Sequence, residues 1–154
     1  MKKLHLTIFT MLLMLFSITF SQAQQPDRQK TLNFLLKTNR LIGHAHMSVK
    51  RGKVYSGDLS KAVRHERLAK QLFQNGNYKG ALAHSRRARI LATESIKANK
   101  VKPTSDATFT PEENTLVGTP TSDEELDKEL NTQGIAEITD ETIINQNNLE
   151  LEVK

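Results

Sequence analysis

The chain has 154 residues but no cysteine, no tryptophan, two tyrosines and four prolines. Without cysteine it has no disulfide bond, no thiolate nucleophile and no site for a lipid anchor attached through cysteine. The scarcity of aromatic residues argues against binding of single-stranded nucleic acid, in which bases stack on aromatic rings. Because proline is also scarce, long helices can run without interruption.

Catalytic motifs are missing as well. The sequence contains no G-x-S-x-G or H-E-x-x-H motif, no phosphate-binding loop and no dinucleotide fingerprint. Between residues 24 and 102 the acidic residues are Asp27, Asp58, Glu66 and Glu94. Asp27 and Asp58 precede apolar helical patterns, as helix N-caps do. We therefore expect neither an enzyme nor a bound cofactor.

The N-terminus has the layout of an export signal. A positively charged start precedes an almost wholly apolar run from Leu6 to Phe20, and small residues follow at Ser21-Gln22-Ala23. The alternative is an uncleaved membrane anchor, which is disfavoured because the run is shorter than the ~20 residues that a helical membrane span needs. We predict a signal peptide over residues 1–23 and a periplasmic or secreted protein that begins at Gln24. No transmembrane span is expected after cleavage.

Charge is divided unevenly along the chain. Residues 24–102 contain 18 Lys and Arg against four acids, a net charge of +14. Residues 103–154 contain two Lys against 13 acids, a net charge of −11. Such a division suggests either an anionic partner for the basic half or an acidic half folded back over it.

Apolar residues recur at helical spacing in three stretches of the basic half. They predict helices over Arg28–Lys50, Leu59–Asn75 and Tyr78–Asn99, with Asp27 and Asp58 as the caps of the first two. The connections are short, so we expect a small all-α, three-helix bundle made of an antiparallel hairpin and an N-terminal helix. A core of this size is near the lower limit of stability, which favours a protein partner or self-association.

The last third of the chain differs in composition from the basic half. We place the helical domain at residues 24–102 and an acidic, mostly disordered tail at residues 103–154, because Thr, Ser, Pro, Asp, Glu and Asn dominate the tail. Ser122–Leu130 is the exception, since a serine cap and acidic first turn predict a short helix. Ile135–Ile138 and Ile143-Ile144 are apolar candidates for docking. Deleting the tail is expected to leave helix content nearly unchanged and to raise affinity for polyanions.

One stretch, His65 to Ala88, resembles a single tetratricopeptide repeat. The matching positions are Leu68, Ala69, Leu72, Gly76, Tyr78, Ala81 and Ala88. Ser85 and Thr93 depart from the repeat pattern, and no second copy occurs, so a superhelical array is excluded. The resemblance implies helical-hairpin geometry and a protein-interaction role. The alternative is that any tight antiparallel hairpin converges on such residues.

A turn near Gly76 sets the expected register of the hairpin. Facing residues should have numbers that add up to about 155, which places Phe73 opposite Leu82 and Glu66 opposite Arg89. A charge in the middle of an apolar face needs a partner. We therefore predict a buried, hydrogen-bonded ion pair between Glu66 and Arg89, the alternative being that Arg89 extends to solvent.

Histidines are the remaining candidates for metal ligands. His44 and His46 point about 200° apart on a helix and cannot chelate one ion. The register places His84 opposite Leu72, seven residues or ~10 Å from the level of His65, which is too far for a shared ion. We expect no metal site.

A basic run follows in the third helix. Its candidate anion contacts are Arg86, Arg87, Lys97 and Lys100. The competing interpretation is a solvated charged face, which we favour for Arg86 and Arg87 because they point away from the apolar face. The export signal and the lack of interleaved aromatics argue against specific nucleic-acid recognition.

Two functions remain open. The first is a non-catalytic protein-interaction module of the bacterial envelope that uses the small-residue hairpin. The second is a binder of anionic envelope material, either acidic polysaccharide or lipid headgroups, through the basic surface and modulated by the acidic tail. Strong salt dependence of binding would favour the second function.

Overall fold

A computed structural model describes residues 26–153, and the protein is all-helical over that range, as predicted. The helices are α1 (Arg28–Gly52), α2 (Asp58–Gln74), α3 (Tyr78–Ala98), α4 (Pro111–Val117), α5 (Asp123–Thr132) and α6 (Asp140–Ile144), with a 3-10 helix at Ser105–Ala107. The predicted signal peptide, residues 1–23, lies outside the described residues. No helix between residues 26 and 153 combines the length and apolar character needed to cross a membrane.

The starts of α1 and α3 follow from local capping. Asp27 Oδ1 accepts a hydrogen bond of 2.9 Å from Lys30 N, as predicted, and Asn77 Oδ1 accepts one of 3.0 Å from Gly80 N. Such caps satisfy backbone N–H groups that have no partner within the helix. Capping signals of this kind explain why the predicted boundaries of the long helices agree with the structure to within two residues.

The start of α2 is capped from a distance. We expected Asp58 to be its cap, but the N-cap is Gly57, which has no side chain, and Asp58 accepts instead from Ser56 Oγ at 2.8 Å. Asp140 takes over the role: its two carboxylate oxygens accept from Gly57 N and Ser60 N, each at 2.8 Å. A residue of the acidic half therefore completes a helix of the basic half.

The three long helices each pack against the other two, and the most extensive contact is between α2 and α3. We call residues 28–98 the helical body. Helices α1 and α3 run parallel with a constant offset: Ser85 Oγ donates to Thr38 Oγ1 at 2.9 Å across 47 positions, and Gly52 lies against Asn99 at the same offset. Helix α2 is antiparallel to both.

The register of the α2–α3 hairpin differs from the predicted one. The His65 and His84 rings are 5.2 Å apart and the Phe73 and Tyr78 rings 5.4 Å apart, so contacting residues have numbers that add up to 149 and 151 rather than 155. The reason is a tight Schellman ending of α2, in which Asn77 N donates to Leu72 O and Gly76 N to Phe73 O. Gly76, with φ +78°, supplies the left-handed residue that this ending requires.

The chain after α3 is folded against the helical body, which corrects the expectation of a mostly disordered tail. We call residues 103–153 the acidic segment. Its aliphatic side chains Leu126, Leu130, Ile143 and Leu151 are buried. Leu126 and Leu130 are spaced as on one face of a helix, whereas Ile143 and Leu151 lie too far along the chain to extend that pattern. Burial of each one stabilises the docked arrangement. The predicted short helix is present as α5, where Ser122 Oγ accepts from Glu125 N at 3.2 Å.

Candidate functional site

The acidic segment neutralises much of the positive charge of the helical body. Arg87, one of the predicted anion contacts, donates to Asp123 at 2.6 Å and to Asp127 at 3.4 Å. Further ion pairs between body and segment join Lys37 to Glu113, Arg40 to Asp106, Arg64 to Glu137 and Arg67 to Glu150. Arg86 lies with its guanidinium 5.4 Å from the centre of the Phe109 ring. Arg86 and Arg87 therefore contact the acidic segment instead of forming a free anion site.

Arg89 is fully buried, but its partner is not the predicted one. Its guanidinium donates to Glu113 Oε2 at 3.1 Å, to Phe34 O at 3.0 Å and to Thr38 Oγ1 at 3.2 Å. No hydrogen bond joins it to Glu66. The predicted Glu66–Arg89 pair is wrong because the hairpin register is shifted and because the acidic segment brings Glu113 to the guanidinium.

Glu66 is buried in the core, and Glu113 takes the place predicted for it beside Arg89. Its side chain is 1% exposed, and neither carboxylate oxygen has a hydrogen-bond partner among residues 26–153. Burial raises the pKa of Glu66 to about 8, despite the opposing effects of the nearby Ser85 hydroxyl and the Arg89 charge. The Ser85 hydroxyl donates to Thr38 rather than to Glu66. Glu66 therefore resists ionisation near neutral pH.

A chain of ionisable groups joins the hairpin to α5. His65 Nδ1 lies 3.0 Å from His84 Nδ1, His65 Nε2 lies 3.0 Å from Asp127 Oδ1, and His84 Nε2 lies 3.4 Å from Glu129 Oε2. Both rings are fully buried. Burial, together with the His84 charge, lowers the pKa of His65 to about 4, although Asp127 opposes the change. Neutral rings are thus favoured, with His65 Nε2 donating to Asp127 and His84 Nδ1 donating to His65.

This arrangement overturns the predicted ~10 Å separation of the two histidines. It does not create a metal centre: between residues 26 and 153 no group of three or more His, Asp or Glu side chains is placed to hold an ion. The hydrogen bonds with Arg87 and His65 keep the pKa of Asp127 below its usual range even though burial raises it. The cluster therefore attaches α5 to the hairpin.

Six exposed cations that form no ion pair with the acidic segment, residues 103–153, lie together at one end of the molecule. We call this surface the basic end; it consists of Lys50, Arg51, Lys53, Lys97, Lys100 and Lys102, all exposed. The offset of 47 places Lys50 level with Lys97 and Lys53 level with Lys100. Lys97 pairs with Glu94 at 2.9 Å, and the other five form no ion pair with any residue that the structure describes.

The backbone at the basic end is fixed by one side chain. Asn99 Oδ1 accepts from Val54 N at 3.0 Å, and Asn99 Nδ2 donates to Val54 O at 3.1 Å and to Ser95 O at 3.0 Å. Lys53 and Lys100 each have φ +56°, in the left-handed region where helix endings usually place glycine or asparagine. Two lysines thus occupy strained positions at the ends of neighbouring parallel helices.

Some carboxylates close to this end are engaged, whereas Glu141, next to Asp140 on α6, is exposed. Glu94 pairs with Lys97, Asp58 accepts from Ser56, and Asp140 caps α2. Of the four predicted anion contacts, Lys97 and Lys100 belong to the basic end. Lys50, Arg51 and Lys53 were missed, although three cations around Gly52 are visible in the sequence. Only the parallel packing of α1 and α3 shows that they join Lys97 and Lys100.

Comparison of the chain with models of known protein families, with curated proteins and with solved structures gave no match. The resemblance of His65–Ala88 to a tetratricopeptide repeat therefore stays a prediction. So do the signal peptide and the envelope location.

Proposed function

We propose that this protein is a non-catalytic, exported helical protein that binds anionic envelope material through its basic end. The observation that carries the proposal is the set of six exposed cations at the ends of α1 and α3, of which only Lys97 has an acidic partner. Close-set cations of one sign attract polyanions and anionic surfaces and raise the rate of association with them.

The acidic segment supports this proposal by what it leaves uncovered. It contributes carboxylates to Lys37, Arg40, Arg64, Arg67, Arg87 and Arg89. These pairs use six of the 13 acidic side chains of the C-terminal third, on the flank of the helical body. The segment therefore occupies cations on the flank of the helical body, and between residues 103 and 153 it contributes no ion pair to the six cations of the basic end.

The other candidate function, a protein-interaction module that uses the small-residue hairpin, has less support. The small residues of α3 that would admit a partner helix, Ala81, Ala88 and Ala92, are fully buried, and α1 packs on α3. A tetratricopeptide-like role for residues 65–88 would therefore need a surface other than this face.

The experiment measures the affinity of the chain that begins at Gln24 for alginate and for anionic lipid vesicles. The double variant Lys53→Gln/Lys100→Gln should bind both about tenfold more weakly, because two cations at the basic end are removed. The matched control is Lys30→Gln/Lys79→Gln, which removes two exposed lysines from the opposite end of the parallel helices. Binding should fall as ionic strength rises from about 50 to about 200 mM.

Two results would contradict the proposal. One is that the protein binds neither alginate nor anionic vesicles at low salt. The other is an equal loss in both double variants, which would show that net charge matters and position does not.

A further inference from the structure

Apolar side chains stand exposed beside the cations of the basic end. Between residues 26 and 153 the large apolar side chains that are clearly exposed are Leu36, Met47, Val54 and Tyr55. Val54 is 44% and Tyr55 39% exposed, and both follow Lys53 in the connection between α1 and α2. Met47, 45% exposed, lies one helical turn before Arg51. Three of the four exposed apolar side chains thus accompany the cations.

The connection that carries Val54 and Tyr55 is held in place before any ligand binds. Both backbone groups of Val54 are hydrogen-bonded to the Asn99 side chain. Gly52 is packed so closely on Asn99 that a larger residue there would displace it. The exposed side chains are therefore presented by a fixed backbone, which reduces the ordering entropy lost on binding.

We propose that the basic end docks on an anionic lipid bilayer, with its cations at the headgroups and with Val54 and Tyr55 entering the interfacial region. This inference rests on the proposed function and commits it to one ligand. A hydrated polysaccharide has no apolar interior that Val54 could enter. A bilayer interface accommodates both groups, since tyrosine is enriched at the headgroup level and cations are attracted to anionic lipid.

Neither the cations nor the exposed apolar side chains are sufficient by themselves for stable attachment to a membrane. Stable attachment to a membrane surface generally combines two signals, such as an apolar group and a polybasic patch. The basic end supplies both within one connection and two adjoining helix ends. Attachment at this end would point the C-terminal ends of α1 and α3 and the N-terminal end of α2 toward the membrane. The acidic segment would lie along the side of the helical body.

The first experiment separates apolar insertion from charge. The variant Val54→Ser/Tyr55→Ser should bind vesicles of equal parts phosphatidylglycerol and phosphatidylcholine about tenfold more weakly, with unchanged binding of alginate. Leu36→Ser is the matched control: Leu36 is equally exposed but lies on α1 away from the basic end, and its loss should change neither. Circular dichroism of each variant checks that the helices are retained.

A second measurement uses the absence of tryptophan from the chain. Tyr55→Trp supplies a single fluorophore whose emission should shift to shorter wavelength, and be quenched by brominated lipid, when anionic vesicles are added. Leu36→Trp should show neither effect. Vesicles of phosphatidylcholine alone should produce no shift in either variant.

The outcomes distinguish this inference from the proposed function. Binding of alginate without binding of vesicles overturns the bilayer inference and leaves the proposed function standing. Binding of neither overturns both. Vesicle binding that is insensitive to Val54→Ser/Tyr55→Ser, with an unshifted Tyr55→Trp emission, overturns insertion and shows that charge alone holds the protein to the surface.

Discussion

At the scale of single residues, Lys53 and Lys100 have left-handed backbone conformations and also belong to the proposed binding surface. Lys100 has φ +56° at the Schellman ending of α3, where Val101 N donates to Ile96 O at 3.2 Å. Glycine adopts this conformation without a steric penalty, so Lys100→Gly should raise the free energy of unfolding by about 0.5–1 kcal/mol. The same change should weaken binding to anionic vesicles, because a cation is lost.

The control for this prediction is Lys100→Gln, which removes the charge and keeps a side chain at the left-handed position. It should weaken binding to the same extent and leave the free energy of unfolding, measured with urea, within about 0.5 kcal/mol of the original protein. If Lys100→Gly is less stable than Lys100→Gln, the lysine is not strained and serves the helix end.

Glu66 is a second residue whose environment predicts a measurable effect. Its pKa is raised from an unfolded value of 4.5 to about 8. The folded state therefore holds an extra proton between these pH values, and the stability contributed by the protonated form is lost as pH rises through about 8. Glu66→Met should be more stable than the original protein by roughly 1–3 kcal/mol at pH 8 because it replaces an unpaired buried acid.

The stability gain from Glu66→Met should shrink as pH falls toward 4.5, and urea unfolding at several pH values measures it. Glu94→Met, at an exposed position of α3, should change stability little and without a trend in pH. A gain for Glu66→Met that stays constant with pH would show that Glu66 ionises normally in the folded state.

The residue scale also shows where pattern-based prediction fails. Arg89 was correctly expected to be a cation in an apolar face that needs a partner, but the partner was sought on the facing helix. The structure supplies Glu113, 24 positions later and beyond a loop, with Thr38 and the Phe34 carbonyl from α1. Helical periodicity contains no information about how a later segment folds back, so this set of contacts is not readable from spacing.

At the scale of elements, α5 is attached through the histidine pair, and this attachment depends on pH. The pKa of His65 is lowered from 6.5 to about 4, chiefly by burial. Between these values the unfolded chain binds more protons than the folded one, so stability is complete above about pH 6.5 and is lost as pH falls toward 4. The shift corresponds to about 3 kcal/mol.

The measurement is the free energy of unfolding at pH 7 and pH 5 for the original protein and for His65→Gln. The stability of His65→Gln relative to the original protein should rise as pH falls from 7 to 5, because the variant lacks the loss that His65 contributes in this range. Glu66 contributes an opposite trend, but both proteins share it and it cancels in the comparison. His44→Gln, on α1, should show no such change in relative stability. A direct NMR titration of the His65 ring checks the same claim without a substitution, and an ordinary pKa near 6.5 would contradict it.

The long helices were predictable as elements, and the reasons are local. Their apolar spacing and the caps at Asp27 and Asn77 lie within a few residues of each boundary. The register of α2 against α3 was not predictable from the sequence, because the Schellman ending at Gly76 shifts every facing pair by several positions. Nor was the capping of α2 by Asp140, which acts across 83 positions through Gly57 N. Local signals fix where α1 and α3 begin, whereas tertiary contacts complete the start of α2 and fix how the helices meet.

At the scale of the whole molecule, the two halves of opposite charge fold into one structure. The acidic segment covers the flank of the helical body with ion pairs and buried aliphatic side chains, while the basic end stays uncovered. Charge imbalance in the sequence suggested either an external anionic partner or an acidic half folded back. The structure shows the acidic half folded back on the flank, and the basic end is the separate surface to which we assign the proposed anionic partner.

The last prediction concerns removal of the acidic segment. From composition we expected a chain ending at Lys102 to keep its helices. The structure predicts the reverse, since that chain loses the buried side chains of Leu126, Leu130, Ile143 and Leu151. At ~1.5–3 kcal/mol for each aliphatic side chain, the loss is roughly 6–12 kcal/mol. A typical domain is stable by about 5–15 kcal/mol, so the truncated chain should lose cooperative thermal unfolding by circular dichroism.

A matched variant separates burial from charge. Leu126→Ser/Leu130→Ser in the chain from Gln24 to Lys154 leaves every carboxylate in place and removes two of the four buried contacts. It should lower the unfolding temperature clearly, while Glu124→Gln/Glu141→Gln, at two exposed acids of the same segment, should not. Cooperative unfolding of the truncated chain near the temperature of the longer one would mean that the helical body is complete at Lys102. The acidic segment would then serve only to compensate charge on its flank.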